Sequence, residues 1–243
     1  MTSRDIEDLA RFELNSAPLR QLTEIFHAIF RLSTFRQGNS IYRSFATEII
    51  RCPMTRMVLR IFQGEVAKQC KFAMIAVNQM NLALKASDVD WIFSSIQSFL
   101  VAWANISKLL WPAAPRTRKC PSCGVKLPVS PPLLPRRGIE LRASLNVPSN
   151  SPLKSRALRN HFEHFDERIE KWAVSSRRHN FADTNVGPLT MISGLDPDDY
   201  MRNFDPTTST VTFRGQSFSL QSVIAELRKL CPVATAEAQK PYV

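Results

Sequence analysis

Nine of the chain's sixteen prolines fall between residues 112 and 152. Proline lacks a backbone N–H and holds φ nearly fixed, so this stretch is expected to form neither regular helix nor inner strand. It interrupts a chain of 243 residues that otherwise carries mostly helical periodicity. The expected organisation is an N-terminal helical segment over 1–53 and a helical bundle over 54–180 that contains the proline-rich loop 112–152. A C-terminal extension over 181–243, with a short hairpin and a helix, follows. The fold class is mainly α.

Before the prolines, apolar residues recur every three or four positions. Leu19, Leu22, Ile25, Phe26, Ile29 and Phe30 make one such face, with Pro18 suited to a first helical turn. Gln37-Gly38-Asn39 predicts a break, and residues 41–51 a short helix ended by Pro53. Val58, Ile61, Phe62, Val66, Phe72, Ile75, Ala76 and Met80 carry a long helix over 54–85. Ser87 is the expected N-cap of the next, with Asp88 and Asp90 in its first turn. That helix is apolar on more than one face, which suits a central bundle position, and Pro112 ends it. Beyond the loop, residues 155–177 predict one helix. Residues 210–213 and 217–219 predict a hairpin about Arg214-Gly215-Gln216, and residues 220–230 a closing helix with Pro232 just past its end.

Charge is distributed unevenly. Thirty-two Lys and Arg against twenty-one Asp and Glu give +11. Residues 112–159 hold ten of the cations, Arg116, Arg118, Lys119, Lys126, Arg136, Arg137, Arg142, Lys154, Arg156 and Arg159, against the single acid Glu140. So local an excess attracts polyanions, and nucleic acid is the commonest in a cell; a solvated basic loop is the plainer reading. Seven glycines make phosphate-cradling loops scarce, and neither GxGxxG nor GxxxxGK[ST] occurs, which argues against the usual nucleotide-dependent kinases and dinucleotide oxidoreductases. Gly-x-Ser-x-Gly is absent too.

Residues 156–172 concentrate polar chemistry on a helix. Leu158, Phe162, Phe165, Ile169 and Trp172 form an apolar stripe, and His161 and His164 are half of the chain's histidines. An imidazole titrating near neutrality serves as general acid or base, and a guanidinium matches a phosphate with paired donors. RNA cleavage requires both. The plainer alternative is an i, i+4 ion pair between Arg159 and Glu163, with the histidines as ordinary surface residues.

The run Arg159-Asn160-His161-Phe162-Glu163-His164 resembles the signature of the HEPN superfamily (higher eukaryote and prokaryote nucleotide-binding domains): Arg, four to six residues, then His, often with Asn after the Arg. The resemblance covers roughly residues 54–172. The insertion before the motif helix and the tail after Arg178 lie outside the family's core pattern. It implies a four- to five-helix bundle acting as a metal-independent endoribonuclease of toxin or defence type. Its site would hold Arg159 as phosphate ligand, His164 as acid/base and Asn160 as orienting group, with His161 and Glu163 behind them. Arg116, Arg118, Lys119, Arg136, Arg137, Arg142 and Arg156 would guide the RNA. On a straight helix Arg159 and His164 lie about 140° apart, which favours a site shared by a homodimer. A cognate antitoxin or regulatory protein is a further expected partner. The alternative is a non-catalytic RNA- or protein-binding module of the same fold.

Cys120-Pro-Ser-Cys123-Gly is half of a zinc knuckle, leaving intersubunit zinc, a labile disulfide or no special role. A nucleic-acid-binding regulator held by zinc at this pair would be a third reading. No cofactor is otherwise expected. The five cysteines do not form a secreted disulfide framework, and residues 1–8 carry no apolar segment. Residues 91–111 are too polar for a membrane span, so the expected location is the cytoplasm.

Overall fold

In the computed structural model, which describes residues 54–113, 117–119, 126–128 and 136–241, helix α1 (Arg56–Ala86) starts where the Thr55 hydroxyl accepts from Val58 N at 3.3 Å. Ala67, Ala73, Ala76 and Ala83 on its buried face let a second helix approach closely. That helix, α2 (Val89–Leu110), begins two residues after a left-handed turn at Ser87, φ 54°. Ser87, the expected N-cap, instead closes α1, and its N–H reaches Leu84 O at 3.2 Å. Asp88 caps α2, accepting from Trp91 N at 2.9 Å. So short a joint fixes α1 and α2 as antiparallel neighbours.

The expectation that α2 lies centrally holds. Ile92, Phe93, Ile96, Phe99, Leu100, Trp103, Ile106 and Leu110 are all buried. On another side α1 packs against the C-terminal helix α6 (Leu220–Ala238). Leu220, Val223, Ile224, Leu227, Leu230 and Ala234 complete the core from there. The described residues are therefore mainly helical, with three long helices at the centre of the 53–243 unit.

Two expectations about proline need correction. The 112–152 segment does hold a regular helix, α3 (Arg137–Ser144), beside a three-residue antiparallel ladder of two edge strands, β1 (Thr117–Lys119) with β2 (Lys126–Pro128), which the expectation allowed. The ladder pairs Thr117 with Pro128 at its margin, where a missing N–H costs least. α3 fits between Pro135 and Pro148, and Gly138 lets it approach α2, since a Cβ there would stand 2.8 Å from Leu110 O. Pro232 lies inside α6 rather than beyond it. An interior proline costs about 3 kcal/mol. Here the residue is exposed, and the helix past it is held by buried Ala234 and a 3.0 Å Arg60–Glu237 ion pair.

The predicted 155–177 helix is two helices, α4 (Ala157–Glu163) and α5 (Phe165–Ser175), bent at His164 (φ −100°, ψ 41°). A small sheet follows in the order β3 (Asn185–Val186), β4 (Asn203–Asp205), β5 (Thr210–Phe213), β6 (Gln216–Ser219). Strands β3 and β4 are parallel and the rest antiparallel. The expected hairpin is present, turned by Arg214 and Gly215, both at positive φ (44° and 73°), as a two-residue turn of this hand requires. Arg214 tolerates that backbone while tying the turn to α5: its guanidinium donates to Arg168 O at 3.2 Å and Ser175 Oγ at 2.8 Å.

The predicted faces at 19–30 and 41–51, and Arg116, Cys120 and Cys123, lie outside the described residues, as do the side chains of Arg118 and Lys119. Among the described residues no helix is long and apolar enough to cross a membrane.

Candidate functional site

The apolar stripe continues across the bend at His164, with Leu158 and Phe162 before it on α4 and Phe165 after it on α5. Leu158, fully buried, points α4 into the bundle core. Phe162 and Phe165, on either side of the bend, both pack on Phe213 of β5 in the same core, at ring distances of 6.0 and 6.2 Å. Asn160 O still accepts from His164 N at 3.1 Å, and His164 O from Arg168 N at 3.2 Å, so the bend keeps the hydrogen bonds on either side of it.

This geometry separates the motif residues. Arg159 forms an ion pair with Glu163, the i, i+4 arrangement. His164 is half-exposed and its Nδ1 meets Glu167 Oε1 at 3.2 Å. Arginine and histidine are thus engaged by different carboxylates of their own chain. Asn160 is exposed beside them.

His161 is spoken for. It stacks on Phe213 (centroids 4.8 Å, planes 18° apart), and Arg168 Nε donates to its Nδ1 at 3.2 Å. Nε2 therefore carries the proton, and donates it to Gln216 Oε1 at 3.3 Å. Burial holds the imidazole below its ordinary pKa, against the Gln216 hydrogen bond and with help from Arg168, Arg214 and Lys171. Both nitrogens are occupied in the neutral ring, which suits a packing residue joining α4 to the sheet.

The basic residues divide by role. Arg137 donates to Lys108 O at 3.0 Å and lies over the Phe62 ring, while Arg142 bonds Leu110 O and lies over Trp111. Both satisfy carbonyls at the C-terminus of α2, where the helix dipole favours cations. Arg136 is exposed and pairs with Glu140 at 3.3 Å.

Three cations remain together. The Trp103 indole N–H donates to Leu153 O at 3.1 Å and the Ser107 hydroxyl to Lys154 O at 2.8 Å. Those bonds, with buried Leu153, lay residues 152–156 along α2 and bring Arg156 and Arg159 beside Lys108. Desolvation holds Lys108 below its ordinary pKa, with repulsion from Arg159 and Arg156 adding to it. Arg159 is lowered likewise by burial and by Arg156. Glu163 is the one carboxylate in an ion pair with this trio among the described residues. Lys108 is the member that sequence reasoning passed over. It stands 48 positions before Arg156, and its only local signal is a cation in the last turn of a helix.

Among the described residues no three His, Cys, Asp or Glu converge as metal ligands. No family model matches the chain, and no curated protein or solved structure matches it either.

Proposed function

We propose that the 53–243 unit is an RNA-binding module rather than a nuclease, and that Lys108, Arg156 and Arg159 form its phosphate contact. The observation that carries this reading is the crowding of three cations of which, among the described residues, only Arg159 is paired with a carboxylate. Arg156 lowers the proton affinity of both Lys108 and Arg159, and Arg159 that of Lys108, so the cluster carries repulsion that a polyanion relieves. In the chain the cluster flanks both ends of the 112–152 segment, itself rich in Lys and Arg. RNA is the polyanion favoured by the HEPN-like character of the motif. The separate engagement of Arg159 by Glu163 and His164 by Glu167 favours binding over catalysis.

The test is fluorescence anisotropy of the whole protein with a labelled single-stranded RNA in EDTA. Each phosphate contact on a single strand contributes a salt slope of about 0.7, worth roughly eightfold in affinity at 50 mM salt. Lys108→Gln with Arg156→Gln should therefore weaken binding by about sixtyfold, with the RNA intact throughout. Unchanged affinity would remove the proposal. RNA breakdown in EDTA that disappears in His164→Ala would replace it with the dimeric ribonuclease reading.

A further inference from the structure

Two thiols far apart in sequence meet inside the bundle. Cys70 lies on α1 and Cys231 on α6, and the packing that sets Gly64 of α1 against Ala238 of α6 brings the two thiols to one level of the seam between the helices, near enough for each to shift the other's proton affinity. Both are reduced. The helices run antiparallel there, clasped further along by the Arg60–Glu237 pair. At Gly64 the seam has room for a Cβ, which would stand at ordinary contact distance, 3.9 Å, from Ala238 Cβ.

The two sulfurs are not equivalent. Cys70 is fully buried, whereas Cys231 is half-buried and followed by exposed Pro232. Because proline cannot donate to the preceding turn, the α6 ladder is already interrupted beside the accessible sulfur. Hydrogen bonding to Cys231 and burial hold Cys70 protonated, far above the usual thiol range. The same hydrogen bond lowers Cys231, and the Lys71 ammonium lowers it further against the effect of burial. The reachable sulfur is thus also the one better able to lose its proton, the combination that makes a cysteine reactive.

We propose that Cys70 and Cys231 are a peroxide-sensitive pair that closes to a reversible disulfide and locks α1 to α6. The Cys231 thiolate attacks one oxygen of the hydroperoxide, breaking the O–O bond. This leaves a sulfenic acid on Cys231, and the departing hydroxide takes a proton to become water (an alcohol, for an alkyl peroxide). Cys70 then gives up its proton and attacks the Cys231 sulfur, expelling its hydroxyl as water. Two thiols lose two electrons and the peroxide gains them. Nothing else is consumed. The ring so closed spans nearly the whole unit, so the bond restricts the unfolded chain strongly.

The full chain, treated with hydrogen peroxide, blocked with N-ethylmaleimide and digested without reduction, should yield a Cys70–Cys231 linked pair two hydrogens lighter than the separate thiol peptides. Dithiothreitol should restore both thiols. Oxidation should raise the melting temperature by about 5–15 °C. In Cys70→Ala, Cys231 should lose its partner and proceed to sulfinic acid, whereas in Cys231→Ala the buried Cys70 should stay a thiol. A linked pair in the unmodified sequence requires no variant to fold. Its absence from folded, peroxide-treated protein, or pairing of Cys70 with a different cysteine, would overturn the proposal.

Discussion

Glu163→Gln should tighten RNA binding, an outcome opposite to that of most substitutions near a site. Glu163 occupies the Arg159 guanidinium, so among the described residues the cluster offers two cations outside any ion pair, Lys108 and Arg156, and a third that is held back. Removing the carboxylate charge while keeping its shape releases the third. One more phosphate contact on a single strand steepens the slope of log K against log salt by about 0.7. Taking the electrostatic contribution to vanish near 1 M, the gain is about eightfold at 50 mM and about threefold at 200 mM. The cost to the fold is small, because a partly exposed i, i+4 pair contributes only a few tenths of a kcal/mol. Anisotropy titrations over that salt range, alongside a thermal melt, measure both. An unchanged slope with native-like melting would refute the reasoning. So would weaker binding, since either shows that Arg159 does not face the RNA.

Three other outcomes follow from the packing. Phe213 is fully buried under His161, Phe162 and Phe165, so Phe213→Ala should cost about 3–5 kcal/mol in urea unfolding; under 1 kcal/mol would mean that the sheet does not hold the motif helices. His161 is held neutral in the fold but charges near pH 6.5 when unfolded. Stability from it is complete above about pH 6.5 and falls as pH drops toward the lower folded-state value, so His161→Gln should flatten that acid limb. Pro232→Ala should restore an α6 hydrogen bond and raise stability by about 1–3 kcal/mol, whereas a loss would show that the proline is needed where it stands.

What the sequence made legible was whatever depends on neighbours in the chain. The long helices of α1 and α2 follow from three- and four-residue spacing, and the β5–β6 hairpin from alternation about Arg214-Gly215. The bend at His164 was not legible, because the stripe from Leu158 to Trp172 is continuous on a helical wheel. The contacts that flank the bend are distant in the chain: Phe162 before it and Phe165 after it both pack on Phe213, some fifty positions on. Pro232 misled for a similar reason: local chemistry ends a helix there, and the tertiary contacts of Ala234 and Glu237 carry it on. Arg159 shows the same limit in the site. Its partner Glu163 could be named from spacing alone, whereas the burial and the Arg156 charge that oppose its own, and the Lys108 charge of α2 that it opposes in turn, come from the packing. The Arg–x4–His spacing therefore fixes which groups are present on the helix. Whether they act together depends on the bend, which points one toward Lys108 and leaves the other with Glu167.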